Sequence, residues 1–187
     1  MSGAAGGFIV TRTGRRFCFD DPAGFDYAVD DIAPALANLC RFVGQAGWWS
    51  VAQHSLLVGD IVASWGYPQH KLRAVLHDAS EAFLADIPTP LKQTEAFSAY
   101  RSLERTVMDA INGTFGLPER DPEGERIVKK ADRTALRAEA EMLGILDDSW
   151  EVWDEERVGV PARLVWLSRG CAAGTLAAEM ERGRRRR

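Results

Sequence analysis

Residues 74–92 read AVLHDASEAFLADIPTPLK. The segment opens with apolar residues at helical spacing and closes at Pro88 and Pro90, because proline disfavours helix in the residue before it. Inside that frame stand His77, Asp78, Glu81 and Asp86. A helix of this kind buries its apolar face against neighbours. Carboxylates carried into a buried place need compensation, since burying them together uncompensated is strongly unfavourable. A fold that accepts this segment therefore brings other polar groups, or a cation, to meet it.

The rest of the chain reads as helices able to do so. The stretch VDDIAPALANLCRF places Ile32, Leu36, Leu39 and Cys40 on one stripe, with Asp30 or Asp31 as the cap. Ser50 followed by Gln53 has the capping-box pattern and starts a helix that carries His54 and ends at Gly66. The segment with His77 and Asp78 is expected as one helix over 71–86. Further helices are expected over 94–115, over 122–143 with Pro122 in the first turn, and from 162 into the basic C-terminal run. Ile127, Ala131, Thr134 and Ala138 fall on one side of the fifth. Ahead of them, FIVTRTGRRFCF (8–19) reads as a small hairpin turning at Thr13-Gly14. An isolated hairpin is marginal, so it lies on the helical body. No internal repeat or long linker divides the chain. The expectation is an all-α bundle of about six helices with an N-terminal β-hairpin, a single domain over 1–187, and a disordered basic tail over 183–187.

Composition narrows the partners. The 187 residues are 46% hydrophobic and 27% charged, with a formal net charge of −4, the profile of a globular domain rather than of a polynucleotide-binding surface, which is normally basic. A small anionic ligand needs only local cations. Cys18, Cys40 and Cys171 show no C-x-x-C spacing, which fits small core residues in a reducing cytoplasm. The opening residues lack the apolar core of a secretory leader, and no apolar run approaches the ~18 residues of a membrane span.

Four residues on the helices are costly to bury: His54, His77, Asp78 and Asp132. Singly each has an ordinary reading, as a satisfied core histidine or a surface carboxylate. Together, two imidazoles and two carboxylates from three helices make a donor set that closes around one divalent cation. Its mix of nitrogen and oxygen suits Mn, Co, Ni, Fe, Zn or Mg.

The order of these residues, and the segments SVAQHSL, HDASEAFLADIPTPLK and KKADRTAL around them, resemble the HD-domain metal-dependent phosphohydrolases. The resemblance covers roughly residues 11–143. It points to the compact branch holding bacterial 5′-deoxyribonucleotidases and viral dNTP (dATP) phosphohydrolases, and implies an HD-domain bundle and a single metal ion bound by His54, His77, Asp78 and Asp132. Glu81 lies four residues after His77, on its helix face. The resemblance implies that Glu81 and Asp86 hold the attacking water beside the metal. Such a water has its pKa lowered by the metal, and a carboxylate in reach orients it and takes its proton. Phosphate in an acidic site calls for further cations. Arg41 matches an arginine that such enzymes use near the phosphate, and Lys92 stands after the prolines as a second cation or a solvated lysine. Trp48 and Trp49 stand before the first ligand helix, as a base or sugar pocket or as core residues. Relatives often carry a histidine where this chain reads VGQAG.

The function implied is hydrolysis of the 5′-phosphate ester of a (deoxy)nucleotide, with a homo-oligomeric enzyme and no polynucleotide or membrane partner. Trp150, Trp153 and Trp166 near the last helix are candidates for the interface. Two alternatives share the same residues: a dNTP triphosphohydrolase releasing tripolyphosphate, and a non-catalytic nucleotide-sensing module. Dinuclear cyclic-nucleotide phosphodiesterases of this superfamily need additional histidines, and this chain has three in all. Guanosine tetraphosphate hydrolases carry a different acidic pair after the His-Asp.

Overall fold

The computed structural model describes residues 7–147, 157–165 and 167–185. Strands β1 (Phe8–Val10) and β2 (Arg16–Cys18) pair antiparallel, Phe8 opposite Cys18 and Val10 opposite Arg16. The turn between them passes through Gly14 at φ +81°, a conformation glycine adopts without strain. Helices follow: α1 (Val29–Asn38), α2 (Val51–Ser64), α3 (Lys71–Leu76), α4 (Glu81–Leu84), α5 (Thr89–Lys92), α6 (Ser98–Thr114), α7 (Pro122–Met142), α8 (Ala162–Val165) and α9 (Arg169–Arg185). The all-α architecture with a small N-terminal hairpin is as the sequence implies.

Helix α2 is the axis of the molecule, packed against α1, α3, α7 and α9. The Ser50–Gln53 capping box forms as read: the Ser50 hydroxyl accepts from the Gln53 N–H, and the Gln53 side chain accepts from the Ser50 N–H. The reciprocal pair satisfies two otherwise orphaned groups and contributes about 1 kcal/mol. Val51, Ala52, Leu56, Leu57, Val58, Ile61 and Val62 are all buried, so this helix presents apolar surface on nearly every side. His54 lies among them at 0% exposure. Gly59 lets α3 come close, since a Cβ there would stand 2.7 Å from Val75 Cγ1.

Four local expectations are corrected. Asp31 does not cap α1. The residue at that place is Ala28, without a side-chain bond, and Asp31 instead turns, buried, to the hairpin, where it accepts from the Thr13 N–H (2.9 Å) and hydroxyl (3.0 Å) and pairs with Arg15. That contact is what lays the hairpin on the bundle. The helix expected over 71–86 is interrupted at 77–80, where backbone N–H groups bond three residues back: Ala79 to Leu76, Glu81 to Asp78, Phe83 to Ser80. The His77 ring supplies a reason. Its Nδ1 takes the Ala74 carbonyl at 2.8 Å, an acceptor that a regular helix gives to residue 78. The helix expected from 94 starts at Ser98, after a 3₁₀ turn at Glu95–Phe97. The last helix is two, α8 and α9, and α9 remains helical through Arg185 rather than loosening at 183. Lys71 of α3 ties it back through Glu179 (3.1 Å), and Arg182 pairs with the same Glu179 within α9 (2.7 Å).

The interface expected of Trp150, Trp153 and Trp166 falls outside the described residues. Among those described, no helix is long and apolar enough to cross a membrane.

Candidate metal centre

Three helical segments deliver the four expected ligands to one place. His54 comes from the first turn of α2, His77 and Asp78 from the interruption after α3, and Asp132 from the middle of α7. Donor atoms of His54, His77 and Asp132 all lie within 4.8 Å of one another. His54 Nε2 stands 3.2 Å from His77 Nε2 and 3.0 Å from Asp132 Oδ1. Asp78 Oδ2 lies 3.2 Å from His77 Nε2 and 3.6 Å from His54 Nε2. Ligands about 2.1 Å from a common ion stand about 3.0–3.4 Å apart, a range that three of these four distances match.

Hydrogen bonds behind the rings fix which nitrogen faces the centre. The Ala74 carbonyl can only accept, so His77 Nδ1 carries a proton. His54 Nδ1 lies 2.7 Å from Glu139 Oε1. Burial alone would raise the Glu139 carboxyl, but the positive charges of His54 and Arg41, with a hydrogen bond from His54, outweigh it and hold the pKa low. Glu139 is therefore a carboxylate that accepts from His54. With both Nδ1 atoms protonated, the two Nε2 atoms face each other across 3.2 Å, where a proton or a divalent cation relieves their facing lone pairs. The donor set fits a divalent metal, and histidine tautomers set from behind are the usual accompaniment of one.

Protonation tells the same story. Burial and the nearby Arg41 push His54 toward neutrality, but Glu139 and Asp132 overcome them and its pKa is raised. Burial likewise opposes the charge on His77, while Asp78 and Asp132 raise its pKa well above the usual value. Burial would raise both carboxyls, yet the two histidines depress Asp78 and Asp132. The raised histidines stabilise the metal-free fold below the unfolded-state pKa of about 6.5, and that contribution is lost as pH rises through their folded pKa values. The depressed carboxyls act oppositely, contributing above their unfolded pKa near 3.9 and failing as pH falls through the folded values. A metal must displace the imidazolium protons. Mn²⁺ affinity is accordingly expected to rise with pH through the histidine range, with proton release on binding, as measured by calorimetry in buffers of different ionisation enthalpy. A pH-independent affinity would contradict this account of the cluster.

Beside these four residues lie the expected catalytic carboxylates. Glu81, at the start of α4, is 4% exposed, and its Oε2 is buried without a hydrogen-bond partner. Burial, then Asp78 and Asp86, raise its pKa well above the usual carboxyl range, against Lys92 and Arg41. Asp86 is half-buried, its pKa raised by burial and Asp78 against the pull of Arg41. It follows Ala85, whose φ of +67° is uncommon for a residue with a Cβ. Arg41 Nη1 lies 3.6 Å from Asp78 Oδ2 and its Nε donates to Glu139 Oε2 at 3.1 Å. The two residues after it, Phe42 and Val43, both have φ +55°. Backbone strain of this kind clusters where surrounding structure must place a functional group, and here it flanks both Arg41 and Asp86.

Lys92 Nζ is bonded to Glu104 (2.9 Å) and lies 3.9 Å from Glu81 Oε1. It closes the Glu81 end of the site as an ion-paired group. Trp49 is 1% exposed, so it is a core residue and offers no face to a base or sugar. Its indole N–H approaches the Glu139 carboxylate and helps depress it without completing a hydrogen bond. Trp48 is exposed, and the Arg169 guanidinium covers its ring at 3.7 Å. On the other side of the ligands, His77 and Asp132 line a cleft of about 250 Å³ between α3, α6 and α7, with Met108, Asn112, Val128 and Lys129 on its walls.

Glu139 is the site residue that the sequence reading passes over. Its signal was present: seven residues after Asp132, it shares that residue's face of α7, one turn beyond the apolar Ala135.

No protein-family model matches the chain. It is 36% identical over 157 residues to the uncharacterized protein YfdR of Escherichia coli, covering 83% of this chain and 81% of that one. It is 38% identical over 138 residues to an uncharacterized protein of Rhodobacter capsulatus, covering 70% of each chain. The chain belongs to the same family as these proteins.

Proposed function

We propose that this member of the YfdR family is an HD-domain metal-dependent phosphohydrolase that hydrolyses the 5′-phosphate ester of a (deoxy)nucleotide, as a 5′-nucleotidase does. The observation that carries the reading is the meeting of His54, His77 and Asp132, with Asp78 against both histidines and an unpartnered carboxylate oxygen of Glu81 beside them. One divalent ion (Mn, Co, Ni, Fe, Zn or Mg) held by those four residues would supply Lewis acidity, drawing charge from the phosphoryl group and lowering the pKa of the attacking water.

The chain's own groups do the rest. Glu81 Oε2 accepts a hydrogen bond from the water, orients it toward phosphorus and takes up its proton; a raised pKa suits that task. Asp86 keeps Glu81 from ionising too readily and helps hold the water. Arg41, anchored on Glu139 and Asp78, meets the phosphate oxygens as negative charge grows on them. Lys92 balances Glu81 and Glu104, and turns to phosphate only by leaving Glu104. The cleft lined by Met108 and Asn112 offers the nucleoside a place beside the ligands. A cytoplasmic, self-associating enzyme acting on a free nucleotide, without polynucleotide or membrane partner, completes the proposal; Cys18, Cys40 and Cys171 are free thiols, as a reducing compartment keeps them.

Product analysis tests it. Protein loaded with Mn²⁺ or Co²⁺ is incubated with dAMP, AMP, dATP, ATP and dGTP, and nucleosides, phosphate and tripolyphosphate are separated. Phosphate and nucleoside from a monophosphate are the expected products. Tripolyphosphate from dATP would replace this reading with a triphosphohydrolase, and no turnover with any metal would replace it with a nucleotide sensor.

A further inference from the structure

We infer that Glu139 is a positioning residue that sets His54 and Arg41 together, so that one buried carboxylate governs both the metal centre and the phosphate-facing cation. The inference rests on the reading of the site as a metal phosphohydrolase. Glu139 is fully buried, at 0% exposure. Its two oxygens are divided between two functional side chains: Oε1 accepts from His54 Nδ1 at 2.7 Å, and Oε2 accepts from Arg41 Nε at 3.1 Å. Arg41 in turn reaches Asp78 Oδ2 at 3.6 Å. A chain of contacts thus runs from one proposed ligand through Glu139 and Arg41 to another, and α7 carries both its anchor and Asp132.

The geometry requires a carboxylate rather than an amide. His54 and Arg41 both donate to Glu139, the Trp49 indole N–H approaches it as a third donor, and only an acceptor at each oxygen suits them. An amide offers one acceptor and one donor. If its NH₂ faces His54, the ring must shift its proton to Nε2 and close the lone pair aimed at the metal. If its NH₂ faces Arg41, two donors collide and the guanidinium moves. Either outcome disturbs one partner while the other stays seated. A shorter carboxylate keeps the charge and both acceptors, and restores part of the arrangement with a small shift of α7.

The test uses the full-length protein with Mn²⁺ and inorganic phosphate as probes. Glu139→Gln is expected to weaken Mn²⁺ binding by about 10–100-fold, the range for partners that orient a metal-bound histidine. It is also expected to weaken phosphate binding at saturating Mn²⁺, although Glu139 touches neither probe. Glu139→Asp is expected to recover much of both. In the wild-type protein, ¹⁵N spectra of the imidazoles are expected to show His54 protonated at Nδ1, which checks the arrangement even where Glu139→Gln fails to fold. A folded Glu139→Gln protein with Mn²⁺ and phosphate affinities unchanged would overturn the inference, as would a neutral His54 protonated at Nε2. A wild-type protein that binds no Mn²⁺ would instead overturn the metal reading itself.

Discussion

His77→Ala is expected to bind Mn²⁺ more than about 100-fold more weakly than the wild type, a larger loss than removing an outer partner causes, and to hydrolyse nucleotides no faster than metal ion in buffer. His77 Nε2 lies 3.2 Å from His54 Nε2, 3.2 Å from Asp78 Oδ2 and 3.7 Å from Asp132 Oδ1, so, like His54, it faces the three others. Removing it leaves Asp78 and Asp132 facing a single imidazole, and two carboxylates near one another then repel. Two consequences separate this from general damage. The ring also holds the Ala74 carbonyl, so the alanine variant is free to lengthen α3 by a turn, and its helical circular dichroism should not fall. Excess Mn²⁺ should recover little activity, because the remaining donors no longer fix the ion against Glu81. A variant with wild-type metal affinity would remove His77 from the centre.

Glu81→Gln is expected to do the reverse: to retain the metal and lose about 10²–10⁴-fold in kcat, the usual contribution of a positioned general base. The Glu81 side chain makes no hydrogen bond to the four proposed ligands, and its buried Oε2 has no partner of its own. An amide of the same size keeps the packing under α4 but cannot accept the proton of the attacking water. The substitution also removes a carboxylate that burial, Asp78 and Asp86 already disfavour in its charged form. The folded protein should therefore be as stable as the wild type or more so in thermal melts, which makes a stability loss an unsuitable explanation of the lost rate. Unchanged kcat with intact metal would exclude Glu81 as the base and turn attention to Asp86.

Much of this centre was legible in the chain because its signals are local. The Ser50–Gln53 box is a four-residue pattern with its own hydrogen bonds, and it forms where it is read. Ile127, Ala131, Thr134 and Ala138 are spaced by helical geometry alone, and all four are buried. The four proposed ligands stand out because two imidazoles and two carboxylates on apolar helix faces have no good reason to be there unless they meet.

What escaped the reading depends on contacts between distant residues. Asp31 has every property of a helix cap, and only the hairpin placed above it, 18 residues earlier in the chain, makes Thr13 the better partner. The interruption at 77–80 follows from a ring bonding its own helix at Ala74, where the propensity of the sequence is helical throughout. Trp49 looks like a platform beside the helix that carries His54, but the Cys40–Ser50 bridge and the bond from Arg41 N–H to Trp49 carbonyl (2.8 Å) hold the segment against the bundle, with the ring buried. Glu139 shares the Asp132 face of α7, a helix of mixed charge, but what it binds shows only when α2 brings His54, 85 residues away in sequence, against α7.

The strained backbone was illegible for a related reason. Phe42, Val43 and Ala85 carry no glycine signature, yet all have positive φ. Phe42 and Val43 follow an arginine bonded to Glu139 and Asp78, and Ala85 precedes Asp86 and leads into the prolines. Tertiary contacts impose these conformations, and the residues types alone give no sign of them.

The account stands on one divalent ion at the meeting of His54, His77, Asp78 and Asp132. The most direct measurement is anomalous diffraction at the manganese edge from crystals of the full-length protein grown with Mn²⁺. The account predicts a single peak within about 2.0–2.3 Å of His54 Nε2, His77 Nε2 and one oxygen each of Asp78 and Asp132. An empty cluster at saturating Mn²⁺, or a peak held by other residues, would contradict it.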